Sequence, residues 1–340
     1  MPDQVNLKIN GVAFSGWESL TITRTIDSLA DAFSLSGPFF PDNPDVVLAF
    51  KPFGYQSAIV DIDGETILTG QIEQVNPSLT ADDMTLNVQG RSKTGFLVDC
   101  SLEGIGYQFD GLTLSKIAAK VAGKFGLSVT ATKNTGPIKE ARAEPGQGAG
   151  EFLSKLAQDS GLILSCDVRG NLVIDAPNPS AAPVAALVQG QGRLKGASAG
   201  YNGAGRFSTY TVLQQQDGAE GLSGKAVDSS IPVYRPIIQT GGSSDAGNVT
   251  AAAEILRAVS LAGAVSLSAE LSGWRTDAGK LWAPGQIVTV KAPAVFVSRE
   301  TAYMIAEVSY KLDGGGHSTS LRLVLPATYS RQMPGVFPWG

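Results

Sequence analysis

The chain has 340 residues, 43% of them hydrophobic and only 17% charged, which is enough apolar mass for more than one core and so for two or more domains. Forty glycines and eighteen prolines follow no period, which points to many turns and short strands rather than a fibrous repeat. A net charge of −5 and a pI near 5.1, with the basic residues scattered, exclude the clustered Lys/Arg surface that neutralises nucleic-acid phosphates.

The first ninety residues read as a run of strands. Val5, Leu7 and Ile9 alternate, Leu20 and Ile22 follow, and Phe33 and Leu35 come next. Val46–Phe50, Ile59–Ile62, Ile67-Leu68 and Met84–Val88 complete the run, with turns expected at Asn10-Gly11, Asp42-Asn43-Pro44, Asp63-Gly64 and Ala81–Asp83. Period two at this spacing predicts an antiparallel barrel or sandwich, and Asp63-Gly64 predicts a tight hairpin. After Cys100 the period changes. Leu114, Ile117, Ala118, Val121, Ala122 and Phe125 form a helical stripe, with Thr113 as N-cap, Gly126 as the stop and Leu127–Thr130 as the next strand. Leu153-Ser-Lys-Leu-Ala157 repeats Leu114-Ser-Lys-Ile-Ala118, and Gly161 with Leu162–Leu164, Cys166 and Val168 repeats the stop and strand. Asp167–Gly170 then predicts a hairpin into Leu172–Ile174, and Ala176–Pro179 with Ala181–Pro183 a linker.

Strands return at Ser208–Leu213, Ile287–Val290, Tyr303–Tyr310 and Leu321–Leu325. The alanine-rich Val249–Ala258 predicts a helix, and Val265, Leu267, Ala269 and Leu271 alternate with polar residues as in a half-buried strand. Gly218, Gly221 and Gly224 predict a mobile loop over 214–230. The expected fold is α+β, mainly β: a first barrel over 1–98, a small α/β domain over 99–180, a second barrel over 181–326 with a helical insertion near 249–262, and a tail over 327–340.

No apolar run approaches the eighteen or so residues that span a bilayer, and Met1-Pro-Asp-Gln4 lacks the basic and apolar regions of a secretory signal. Cys100 and Cys166 are too few for a disulfide scaffold or a thiolate metal site, and read as buried thiols in a reducing cytoplasm. The single histidine, His317 in Asp313-Gly-Gly-Gly-His-Ser318, reads as a solvated turn residue and argues against multi-His metal sites and His-based triads. Gly196-Ala-Ser-Ala-Gly200 fits G-x-S-x-G, but the strand and helix of a nucleophile elbow are not predicted around it, so Ser198 reads as a loop serine. Asp61, Asp63, Asp82 and Asp83 sit in or beside turns, where Asp has its own hydrogen-bonding reasons to be. Glu140, Glu144 and Glu151 are close in sequence, but no aromatic cluster accompanies them as a sugar cleft requires. Catalytic, cofactor and metal residues are therefore expected to be absent. Trp17, Trp274, Trp282 and Trp339 read as core or interface, and the apolar Val336–Gly340 as a tail covered by another chain.

Six segments in order carry a resemblance: Gly16-Trp-Glu-Ser19 with Thr23-Arg24 and Phe33–Leu35; Asp63-Gly64 with Thr69-Gly70; Arg91-Ser-Lys-Thr94 with Val98–Cys100; Gly170–Val173; Arg235–Ile238; and Gly273-Trp-Arg275 with Leu281-Trp282 and Pro284-Gly285. Together they resemble the baseplate hub proteins of Mu-type contractile-tailed phages, whose architecture is related to larger phage hubs and to type VI secretion spike bases. The chain departs from that pattern around 255–265, where Leu261–Ala264 is unusually apolar. The resemblance implies a homotrimeric ring in the virion tail, assembled in the bacterial cytoplasm and joining a six-fold tube to a three-fold spike. The implied partners are the central spike, the tube or its initiator, wedge proteins and the tape-measure protein, with no enzymatic role and no cofactor. The interface candidates are Trp17, Arg91, Lys93, Trp274 and Trp282 within these segments, and Phe337 and Trp339 in the apolar tail. An acidic lumen would pass DNA without holding it. The rival expectations are a tail lysin, which needs a two-carboxylate cleft, and a carbohydrate- or receptor-binding module, which needs an exposed aromatic platform.

Overall fold

The computed structural model describes residues 3–214, 221–240, 248–330 and 339. Its first ten strands are β1 (Val5–Ile9), β2 (Val12–Phe14), β3 (Ser19–Thr25), β4 (Ala32–Pro38), β5 (Ser57–Ile62), β6 (Glu65–Leu79), β7 (Met84–Ser92), β8 (Val129–Ala131), β9 (Ile163–Cys166) and β10 (Leu172–Asp175). Then come β11 (Ala185–Val188), β12 (Leu194–Tyr201), β13 (Thr209–Gln214), β14 (Leu222–Val227), β15 (Pro236–Thr240), β16 (Val265–Ser272), β17 (Ile287–Ala292), β18 (Val297–Asp313) and β19 (Gly316–Val324). The helices are α1 (Pro44–Ala49), α2 (Gly95–Asp99), α3 (Leu114–Gly123), α4 (Ala149–Asp159), α5 (Val249–Gly263) and α6 (Ala327–Ser330). The chain is mainly β and divides into two compact units: Met1–Ala176 with Ser272–Trp274 and Glu307–Ser320, and the remainder from Pro177 onward.

In the first unit the strand order is β18–β3–β4–β7–β6–β5–β1–β2, antiparallel throughout. Alternation decides which face is buried: Val5, Leu7 and Ile9 of β1 and Leu86 and Val88 of β7 point into the core. The β5–β6 hairpin turns at Asp63-Gly64 with φ of 50° and 82°, the left-handed pair a two-residue turn needs. Beside it Asp61 accepts from the Gly64 N–H (3.0 Å) and Asn6 (3.0 Å) and pairs with Lys8 at 2.8 Å. Burial alone would raise its carboxyl, but these partners prevail and hold it below the usual range. Val46–Phe50, expected as a strand, is instead within and after helix α1. The Asn43 side chain accepts from Asp45 N–H, and Pro44 opens the first turn, where its missing N–H costs nothing.

The same unit holds a smaller sheet, β8–β10–β9, with β8 parallel to β10, and α3 and α4 bury their apolar stripes in its core. The repeated helix, glycine stop and strand are present in both copies. Leu127 N–H reaches Ala122 O at 3.1 Å and Leu162 N–H reaches Ala157 O at 2.8 Å, with Gly126 and Gly161 at φ of 69° and 71°. The strand after α3 is only three residues, Val129–Ala131, shorter than and shifted from the expected 127–130.

In the second unit the order is β12–β16–β19–β18–β17–β11, with β11 parallel to β17. β16 alternates as expected, with Val265, Leu267, Ala269 and Leu271 buried. A separate sheet, β14–β13–β15, is covered by α5 through Tyr210, Val212, Ala226, Val249 and Ala253. The loop expected over 214–230 is in part the strand β14, and Gly218 lies outside the described residues. Gly224 belongs there for space: a Cβ would stand 2.2 Å from the Val249 carbonyl carbon at the start of α5. Among the described strand pairs, parallel pairing occurs in three places and no closed barrel is formed.

Candidate assembly surfaces

Arg91–Cys100 leaves the end of β7 as a joint between the large sheet and the smaller α/β layer of the first unit. Arg91 donates to Glu73 on β6 (Nε–Oε2 2.7 Å) and to both oxygens of Asp99, pinning α2 against the sheet. The guanidinium holds the Asp99 carboxyl below the ordinary carboxylate range. Lys93 N–H reaches Thr69 O at 3.3 Å, and Thr69 Oγ1 donates to Val168 O at 2.8 Å. Gly170, at φ 76°, would place a Cβ 2.4 Å from Thr69 O and 3.0 Å from the Lys93 side chain. Three of the six resemblance segments, around Thr69-Gly70, Arg91–Thr94 and Gly170, thus meet at one place. Arg91 has its charge matched by two carboxylates of its own chain.

Beneath this joint Asp31 is 2% exposed. Its carboxylate accepts from Thr25 N–H (2.9 Å) and Arg24 Nε (3.2 Å), its own N–H donates to Ser92 Oγ (3.1 Å), and Ser92 meets Thr94 at 2.8 Å. Burial raises the Asp31 carboxyl against the pull of Arg24, and burial followed by the Asp31 charge pushes the Cys166 thiol up to about 11, so that thiol stays protonated. Cys100 is half-buried rather than buried, and both cysteines are free. The folded Asp31 keeps its proton to higher pH than an ordinary aspartate, so its contribution to stability is complete below the ordinary carboxylate range and is lost as pH rises through the folded value. Denaturant midpoints for the Asp31→Asn variant, measured from about pH 4 to pH 7, are expected to lack this decline relative to the parent chain. Parallel curves for the two proteins would show that Asp31 does not titrate this way.

The structure brings Trp17 and Trp274 together on one cavity of about 360 Å³ in the first unit, which His317 and Leu312 also line. Trp17 is half-buried, with Nε1 donating to Phe14 O at 3.3 Å. Trp274 and Trp282 are each 1% exposed, which corrects their assignment as interface residues: each fills the core of its own unit and leaves no surface for a neighbour. His317 is not a solvated turn residue. It is the second residue of β19, half-buried, with its ring 4.2 Å from that of Trp274. Ser198 lies in β12 opposite Ser268 rather than in a loop, and an extended strand cannot form a nucleophile elbow. No group of three or more His, Cys, Asp or Glu among the described residues could hold a metal, and no described helix is long and apolar enough to cross a membrane.

Two surfaces stand out for exposed apolar side chains. In the first unit Phe40, Val47, Leu48, Phe53, Tyr55, Leu79 and Met84 are all exposed. Phe39 N–H bonds Met84 O (2.9 Å), Leu79 pairs with Met84, and Asn43 N–H bonds Phe40 O (3.2 Å), so the start of α1 and the β6–β7 hairpin share one rim. Phe53 is 90% exposed at φ 59° and Tyr55 lies at φ 47°, strained positions for bulky residues, with the Gln56 amide tying Leu48 O and Lys51 O at 3.3 Å. Sequence reading missed this rim because a strand was expected where α1 forms. In the second unit Tyr201, Phe296 and Trp339 line a cavity of about 370 Å³ with Asn202, Gly203 and Arg206. Trp339 was expected against another chain, yet it rests against Tyr201 of its own at 5.6 Å; Phe337 lies outside the described residues.

Three segments match known families in chain order. Residues 4–92 match the N-terminal domain of the Mu phage baseplate assembly protein GpP-like family, 94–176 the second domain of the baseplate hub protein gp44-like family, and 247–332 the fourth domain of the Mu phage baseplate assembly protein GpP. The chain is 30% identical to the baseplate hub protein gp44 of Escherichia phage Mu over 349 aligned residues, covering 95% of this chain and 88% of that protein. The 43 kDa tail protein of prophage MuSo2 from Shewanella oneidensis superposes with a TM-score of 0.82 at 28% identity, over 97% of this chain and all of that one. A fold likeness extends to the E. coli type VI secretion component c3393, with a TM-score of 0.55 at 14% identity, over 98% of this chain and 78% of that one. The chain belongs to the family of Mu-type phage baseplate hub proteins represented by gp44.

Proposed function

We propose that three copies of this chain close a ring at the distal end of the tail tube, joining the six-fold tube to a three-fold central spike and leaving a lumen through which DNA passes. The observation that carries this reading is the run of three hub-family segments in order along the chain, together with the 30% match to the Mu hub over nearly its whole length. On this reading each copy contributes two related domains, so that three copies give a pseudo-sixfold ring. Exposed sheet edges and the rim around Phe53 then meet neighbouring chains, which is how open edges are protected from unwanted pairing. Partners are the spike, the tube or its initiator, wedge proteins and the tape-measure protein, met during assembly in the host cytoplasm. The chain acts by shape and stiffness, not catalysis, and the net charge of −5 favours a lumen that does not retain DNA.

Light scattering behind size exclusion tests the ring. The expected mass is about 106 kDa, three times the 35.3 kDa of one chain, either alone or on addition of the spike. A chain that stays monomeric at every concentration, with and without the spike, would overturn the reading.

A further inference from the structure

The apolar rim of the first unit and the small sheet of the second carry opposite charges. Around the rim Asp42, Asp45, Asp82 and Asp83 are exposed beside the single Lys51, and none of the five forms an ion pair among the described residues. Four carboxylates against one ammonium leave a charge of −3 next to Leu48 and Phe53. Asp82 and Asp83 stand in the β6–β7 turn, which Asp83 N–H fixes by donating to Thr80 Oγ1 at 3.1 Å. In the second unit α5 covers one face of the sheet β14–β13–β15, through Tyr210 and Val212. On the opposite face the register sets side chains in three rows: Val227–Thr209–Pro236, Lys225–Thr211–Ile238 and Ser223–Leu213–Thr240. Leu213, Val227 and Ile238 are exposed there. Lys225 is exposed without an ion pair among the described residues. At the start of β15 the exposed Arg235 donates only to neutral carbonyls, Ala204 O at 2.8 Å and Arg206 O at 3.1 Å, and so keeps its charge. The carboxylate nearest in sequence, Asp228, is buried and matched by Arg206 at 2.6 Å.

We propose that the acidic rim of one copy docks on the outer face of the small sheet of the next copy, head to tail. The inference rests on the ring reading and names the two surfaces that close the ring. Two unlike patches that fit each other make a heterologous contact, the kind that generates a ring, whereas rim against rim would set −3 against −3. The sheet face is apolar with a middle row of small threonines, which leaves room for projecting side chains. Phe53 supplies one. It is 90% exposed at φ 59°, a backbone state that glycine adopts freely and phenylalanine adopts at a cost, so its own fold gains nothing from the ring. Burial against a neighbour gives that ring a purpose, and the flanking charges set the register of the contact.

Sedimentation of full-length variants, under the conditions in which the parent chain forms its trimer, tests the contact. Asp82→Lys with Asp83→Lys, and separately Lys225→Glu, are each expected to weaken association roughly tenfold, because each sets like charges against each other across the contact. The three substitutions combined in one chain restore opposite charges with their signs exchanged, and are expected to recover association at least about threefold over the rim variant. Phe53→Gly is the control for folding: it relieves the backbone, so the melting temperature is expected to hold or rise while association weakens roughly tenfold. A trimer that forms as well in every variant as in the parent overturns the contact and leaves the ring standing. Weakening by both reversals without recovery in the combined chain also overturns it, since the two surfaces then do not face each other. A parent that stays monomeric with and without the spike overturns the ring and the contact together.

Discussion

Replacing Trp274 with alanine is expected to lower the stability of the first unit by about 3–5 kcal/mol, the range for emptying a buried aromatic site. The side chain is 1% exposed and serves two purposes at once. Its ring lies 4.2 Å from His317 and edge-on to Tyr310 at 6.3 Å, and its Nε1–H is shared between Lys311 O on β18 and Ser318 O on β19, each at 3.0 Å. Around it, Gly273 N–H bonds His317 O (3.0 Å) and Thr319 Oγ1 bonds Gly273 O (2.7 Å), so the three residues 272–274 are stitched to β19 on both sides. Alanine removes the packing and leaves both carbonyls short of a donor. Trp274→Phe separates the two effects: it keeps most of the ring contact and loses only the shared hydrogen bond, so about 1–3 kcal/mol is expected. Urea denaturation followed by circular dichroism gives both values. A loss below about 1 kcal/mol for Trp274→Ala would mean that the site collapses without cost and that the tryptophan does not organise these strands.

Local chemistry makes much of this fold legible in the sequence. Asp63-Gly64, the two helix stops at Gly126 and Gly161, and the alternation of Val265–Leu271 each depend on a few adjacent residues, and each is found where its pattern places it. Readings failed where one local signal competed with another. Val46-Val-Leu-Ala-Phe50 has strand composition, but Asn43 and Pro44 start a helix and set its outcome. Glycines near 221–224 imitate a loop, although Gly224 is there because α5 approaches β14 too closely for a side chain. His317 on its glycine run gave no hint of Trp274, which is more than forty residues earlier in the chain. The surfaces were less legible still. Tryptophans mark places where much area is buried, but whether the burial is within a chain or between chains is set by long-range pairing, and two of the four are core. The rim around Phe53 depends on backbone strain, for which a sequence carries no periodic signal.

Gly70→Ala is expected to destabilise the first unit by about 3 kcal/mol, the upper part of the range for overpacking, although it adds a single methyl group. A Cβ at Gly70 would stand 1.8 Å from Arg91 O and 2.6 Å from the Arg91 carbonyl carbon, both backbone atoms that cannot swing aside as a side chain can. Across the same pair of strands a Cβ at Gly90 would fall 2.2 Å from Gln71 O, so β6 and β7 approach too closely for side chains in both directions just before the register shift between Ile72 and Gln74. Relief requires β7 to move away, and β7 carries Arg91, Ser92 and Thr94 into the joint that holds Asp31 and the α/β layer. The strain therefore propagates to the contacts on which that layer is seated, and a melting temperature lower by several degrees is expected. Gly123→Ala provides the opposite sign. Gly123 is the last residue of α3, with nothing within 4 Å of its Cβ position, so alanine there restricts only the unfolded chain and is expected to stabilise by about 0.5–1 kcal/mol. If both glycines tolerate alanine equally in thermal melts, close strand approach is not what places Gly70 in this chain. If Gly70→Ala alone fails, and Gly70→Ser fails with it, the resemblance segment Thr69-Gly70 is explained by the space between two backbones rather than by any contact with a partner.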